Sequence, residues 1–196
     1  IGTIGRQVAL QLAALGAPRL TLFDDDVVQP ENLAPQGYWP ENLHRFKVHA
    51  TADLCRRIYP EATITSIAER FKRSTPRDWQ VEGDRVIFCC VDSIVTRRMI
   101  WEAIRTSTDF FVDGRMSAEV VRVLAADQPA LDNGYERTLF AADEAYVGAC
   151  TARSTIYTAS IAAGLMVQQF CKWLRRLPVD ADLTLNLLAG ELTAGV

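Results

Sequence analysis

The chain has 196 residues and a formal net charge of -3, with 49% apolar and 23% charged residues. These proportions suit one globular domain whose core needs no covalent staples. The mild acidity, without a basic run, excludes an electrostatic footprint for nucleic acid, and the longest apolar run, residues 156–170, is too short and too polar to span a membrane. Cys55, Cys89, Cys90, Cys150 and Cys171 are odd in number and irregular in spacing, with no CxxC pair. That pattern excludes a disulfide framework and a zinc motif, and the expected compartment is the cytoplasm.

In chain order, Ile4, Val8, Leu12 and Leu15 recur at helical spacing, and Gly16 stands where a C-terminal glycine belongs. Arg19 to Phe23 reads as a short buried strand ending in Asp24-Asp25-Asp26. A polar loop with Pro30, Pro35, Gly37 and Pro40 follows, then a helix over about 47–59 stopped by Pro60. Residues 62–67 and 86–91 read as strands, the second continuous enough to be covered on both faces. Asp92 or Ser93 caps a helix over about 94–105, and 110–112 and 120–125 read as short strands. The acidic stretch 127–149, broken by Pro129 and Gly134, reads as a long, solvated, partly mobile loop. Residues 154–174 form a helix apolar nearly all round, which suggests burial or a subunit interface. Residues 183–188 and 191–193 flank Ala189-Gly190 as a terminal hairpin. Strands alternating with helices predict an α/β, Rossmann-like, doubly wound and mainly parallel sheet with a C-terminal antiparallel extension.

Gly2 and Gly5 have the spacing of the second and third glycines of G-x-G-x-x-G, with the first glycine and its strand expected upstream. In that motif one glycine admits phosphate oxygens to the backbone, the next lets helix and strand pack closely, and the helix N-terminus offers free N–H groups to an anion. Asp24 lies about 20 residues further on, where a ribose-binding carboxylate is expected. Two glycines alone are weak evidence, and a structural turn beside a solvated acidic loop would read the same way. From these features alone an NAD-dependent oxidoreductase also remains open.

Leu22-Phe23-Asp24-Asp25-Asp26-Val27, Glu31-Asn32-Leu33, Gln36 and Lys47, taken in order, resemble the ubiquitin-activating-enzyme superfamily, nearest to its ThiF and MoeB types. Cys90-Val91-Asp92-Ser93 followed by Arg97 resembles that family's C-x-D-N-x-x-x-R segment, and Cys150-Thr151 resembles its catalytic Cys-Thr. The resemblance covers nearly the whole chain, 1–196, and makes 127–150 a crossover loop. It implies ATP- and Mg2+-dependent adenylation of the C-terminal carboxylate of a small ubiquitin-like or sulfur-carrier protein, with transfer to Cys150 in some members, and a homodimer. By matching position it implies that Gly2 and Gly5 line the phosphates, that Asp24, with Asp26 beside it, belongs to the nucleotide site and holds the ribose, that Asn32, Gln36 and Lys47 approach the phosphates, and that Asp92 binds the metal.

The chemistry is consistent, because an ionised carboxylate attacking an α-phosphate needs positive charge and a held metal rather than a strong base. Three positions depart from the pattern. Pro35 replaces an arginine, Ser93 replaces an asparagine, and His44 stands where a glycine is common. Arg6 or Arg45 could restore the missing charge, and without it a non-catalytic nucleotide-binding or dimerisation member is the other reading. Each candidate also has a plain reading: Lys47 as a solvated helix-start lysine, Asp92 as an N-cap, Asn32 and Gln36 as turn residues, Cys150 as a packed thiol. Cys55, Cys89, Cys90 and Cys171 read as packing residues.

Overall fold

The computed structural model describes residues 1–75, 83–132, 134–140 and 155–195. Helix α1 (Thr3–Ala14) buries Ile4, Val8 and Leu12 on one face, and Gly16 follows it at φ 81°. A left-handed residue at that place lets the chain leave the helix without a Cβ penalty. Strand β1 (Arg19–Phe23) lies parallel to β2 (Thr63–Ile67), with Leu20 opposite Ile64. Between them come the short helix α2 (Leu33–Gln36) and helix α3 (Lys47–Ile58), which ends as Pro60 approaches. Ala9 and Ala13 of α1 and Val48, Ala52 and Cys55 of α3 close over Leu22 and Ile64 in one apolar cluster.

The second parallel pair is β3 (Val86–Cys89) with β4 (Phe110–Ser117), joined through helix α4 (Ile94–Ile104). The chain then reverses into antiparallel β5 (Val120–Asp127), β6 (Asp182–Asn186) and β7 (Glu191–Gly195), giving the order β3-β4-β5-β6-β7. Helix α5 (Ile156–Leu174) packs against α1 and one face of β4 and β5. A Cβ on Gly114 of β4 would collide with the Met166 thioether, so helix and sheet meet this closely only at glycine. On the opposite face Ile100, Trp101 and Ile104 of α4 pack with Phe111, Leu124, Tyr135 and Leu139. Helices on both faces, around parallel pairs followed by antiparallel strands, make the expected doubly wound α/β architecture.

Several local expectations need correction. The strands expected at 110–112 and 120–125 run to Ser117 and Asp127, because Asp113, Gly114 and Arg115 continue the ladder instead of breaking it. Strand β3 stops at Cys89, not at residue 91. The stretch expected to be a solvated loop is mostly exposed where it is described, as at Gln128, Leu131, Glu136 and Arg137, but it is anchored at a few points. Tyr135–Thr138 forms a 3-10 turn, Tyr135 and Leu139 are buried, and the guanidinium of Arg98 donates to the Leu139 carbonyl. The rest of that stretch, with Cys150, lies outside the described residues. Helix α5 is covered on its α1 and sheet side, while Ile156, Tyr157 and Leu174 remain exposed. No helix among the described residues is long and apolar enough to cross a membrane.

Candidate nucleotide site

Gly2 is the N-cap of α1, and its carbonyl accepts the first helical bond from Arg6 N at 3.0 Å. No acidic side chain stands in the first turn, so the free amides there face no competing carboxylate from their own helix. The two glycines do different work. A Cβ on Gly2 would meet nothing within 4 Å, whereas a Cβ on Gly5 would lie 3.2 Å from Cys90 Cβ. Gly5 therefore seats the helix against the end of β3, and Gly2 leaves the turn open to an approaching group.

The opening turn and the end of β1 adjoin directly, since the backbone nitrogen of Ile1 contacts the Asp24 carboxylate. The other Asp24 oxygen accepts from Asp26 N at 2.8 Å. Residues 26–28 fold back antiparallel on 44–47, through Val28 N to Arg45 O at 2.8 Å and Lys47 N to Asp26 O at 2.9 Å. This return brings Lys47 Nζ within 2.7 Å of Asp26 Oδ2. The Lys47 hydrogen bond holds the Asp26 carboxyl below its ordinary range. Lys47 is buried, so the solvated-lysine reading does not hold. One carboxylate oxygen from each of Asp24, Asp25 and Asp26 lies within 4.8 Å of the others, and Asp25 and Asp26 already pair with Arg70 and Lys47.

The remaining candidates separate. Asn32 Oδ1 accepts from Gln29 N at 2.9 Å, so that atom serves the turn. Gln36 Oε1 is buried without a hydrogen-bond partner. Ser93, not Asp92, caps α4, its hydroxyl accepting from Thr96 N at 3.3 Å. Asp92 is exposed two residues beyond Cys90, the residue that touches Gly5, and is not needed as a cap. Cys89 and Cys90 are packing residues as expected, and burial pushes both thiols up to about 11. Arg45 pairs with exposed Asp53 at 2.5 Å.

Tyr38, which no motif singles out, and Arg6, which the sequence offers only as a candidate replacement charge, complete the assembly. The Tyr38 hydroxyl lies 3.2 Å from the Ile1 carbonyl, 3.5 Å from the Lys47 carbonyl and 3.2 Å from Thr51 Oγ1. Arg6 lies beneath it, its guanidinium 4.1 Å from the Tyr38 ring centre. The only sequence signal for Tyr38 is an aromatic residue directly after a turn glycine, which is too common to single it out.

Residues 1–191 match the ThiF family. Over 106 residues the chain is 33% identical to the mouse (Mus musculus) adenylyltransferase and sulfurtransferase MOCS3, an alignment covering 52% of this chain and 22% of that protein. Crystal structures with the same fold include PaaA, at TM-score 0.77 and 18% identity, with 98% of this chain and 60% of that one covered. E. coli MccB solved with ATP gives TM-score 0.72 at 13% identity, covering 98% and 61%. The chain thus spans about a fifth of the curated relative and three fifths of the solved chains. With the match running over nearly all of its length, the chain belongs to the ThiF family.

Proposed function

We propose that this domain binds ATP with Mg2+ and adenylates the C-terminal carboxylate of a small ubiquitin-like or sulfur-carrier protein. The observation that carries the reading is the junction of the open Gly2 turn with the Asp24 carboxylate, beside buried Lys47. A nucleotide lying across that junction would set its phosphates on the α1 amides and its ribose on Asp24. Asp92 would hold the magnesium ion, which supplies positive charge to the phosphates. The substrate carboxylate forms a bond to the α-phosphorus as the bond to the bridging oxygen breaks, and pyrophosphate leaves with the negative charge. Lys47 answers that charge. Membership of the ThiF family and likeness to MOCS3 and MccB support the reaction class. The same reading includes a homodimer and transfer of the acyl group to Cys150.

ATP–pyrophosphate exchange with a carrier protein tests it. Lys47→Ala and Asp92→Ala are expected to lower exchange by roughly a hundredfold or more, the scale for losing one group that stabilises a developing oxyanion. Unchanged exchange removes both residues from the site. ATP with magnesium should raise the melting temperature where NAD does not, and the reverse result would favour the oxidoreductase. Pro35 in place of the family arginine favours one second reading, nucleotide binding without turnover, which would give the thermal shift and no exchange.

A further inference from the structure

Arg6 is only 1% exposed, yet among the described residues it makes no ion pair. Its Nη1 donates to Thr51 Oγ1 at 3.2 Å and its Nη2 to the Gly37 carbonyl at 2.9 Å, while Nε has no partner. Arginine keeps its proton in such surroundings, so a full positive charge is buried against neutral acceptors and one ring face. Its contacts link the segments that carry the phosphate-side candidates. Its own backbone nitrogen bonds the Gly2 carbonyl, Gly37 follows Gln36, and Thr51 lies one turn after Lys47. Tyr38, stacked on Arg6, bridges Ile1, Lys47 and Thr51. On its other side Arg6 borders a groove of about 260 Å³. Its lining also carries Glu41 and Asp53 against Arg45 and Arg57.

We propose that Arg6 is a positioning residue for the nucleotide phosphates. It fastens the Gly2 turn, the Gln36–Tyr38 segment and the start of α3 to one another, and its uncompensated charge makes the field at the turn positive where Pro35 leaves none. This rests on the ATP reading above. In a medium of low effective dielectric a charge behind the binding surface acts on an anion without touching it.

Its mark is a loss that grows with ligand charge. Binding of ATP, AMP and adenosine to the full chain is measured by titration calorimetry in the presence of Mg2+. Arg6→Met is expected to weaken ATP about tenfold or more and adenosine less than about twofold, with AMP between. Arg6→Lys keeps the charge and should keep the ATP-to-adenosine ratio within about threefold. Arg6→Lys also tests the proposal if Arg6→Met fails to fold, because a lysine variant in which that ratio falls about tenfold overturns it. An equal loss for all three ligands, or none, overturns the proposal and leaves the ATP reading standing. A wild-type chain that binds none of the three overturns both.

Discussion

Two clusters of buried arginine stand in this domain, one closed and one open. In the closed one Asp113, fully buried in β4, contacts Arg97 Nη1 and receives Arg115 Nε at 2.8 Å and the Tyr135 hydroxyl at 3.0 Å. Arg97 Nη2 reaches the Gly114 carbonyl at 3.2 Å, and Arg115 donates twice to Thr138 at 2.9 Å. One carboxylate thus serves two guanidinium groups and a phenol, whose ionisation burial drives upward. In the open cluster no carboxylate among the described residues pairs with the Arg6 guanidinium. A buried charge is tolerated when it is paired and hydrogen-bonded, and is costly otherwise. The closed cluster pairs its carboxylate with two cations, and its product is structural: it ties α4 and the 135–139 turn to the sheet. The open cluster holds unspent charge beside the nucleotide turn, and there the expense in stability has a functional use.

The largest effect should come from breaking the closed cluster. Asp113→Asn keeps the shape and removes the charge, leaving two guanidinium groups facing a neutral amide. A loss of about 3 to 5 kcal/mol is expected, the range for deleting one partner of a buried pair. Urea unfolding with an unchanged m-value would measure it. A loss below about 1 kcal/mol would mean that the pairing contributes little and that the two clusters do not differ as described.

The matched change in the open cluster is Arg6→Met. It removes two neutral hydrogen bonds and a ring contact, each stabilising, along with an unpaired buried charge, which is destabilising. The terms oppose, so stability should stay within about 1 kcal/mol of wild type even as ATP affinity falls. A drop of several kcal/mol would reclassify Arg6 as a residue of the core.

The contrast was hardly visible in the sequence. Period and punctuation gave α1, β1, α3, α4, α5 and the terminal hairpin, because Ile4, Val8 and Leu12 or Ile156 to Leu174 carry their burial in local spacing. The order of Asp24, Asn32, Gln36, Lys47 and Asp92 raised the site as an expectation, and the fold sets Asp24 against Ile1 and Lys47 on the neighbouring Asp26. What stayed hidden depends on partners far apart in the chain. Asp113-Gly114-Arg115 looks like a polar break until Arg97 and Tyr135 arrive to satisfy it, and only then does β4 extend to Ser117. Arg6 stood beside Arg45 as one of two arginines that could restore the charge missing at Pro35, with nothing in the sequence to rank them. Only the fold shows Arg6 lying under Tyr38. For the same reason Asp92 and Ser93 could not be ranked as caps, since either oxygen can reach the first-turn amides and backbone geometry alone chose Ser93.

The smallest effect tests whether strain beside the open cluster is also functional. His44 sits at φ 64°, in the left-handed region that favours glycine. Its backbone nitrogen donates to the Val28 carbonyl at 2.9 Å, part of the return that sets Lys47 on Asp26, and this bond does not depend on the side chain. A non-glycine residue there costs roughly 1 to 2 kcal/mol, partly offset because glycine loses more freedom on folding, by about 0.5 to 1 kcal/mol. His44→Gly should therefore stabilise the domain by up to about 1 kcal/mol and raise the melting temperature by about 2 to 4 °C. If Lys47 is placed by the backbone ladder rather than by stored strain, ATP affinity stays unchanged in that variant. A stabilised protein that binds ATP less well would show instead that the strained turn presses Lys47 into place, and that the open side of the domain gives up stability at two points rather than one.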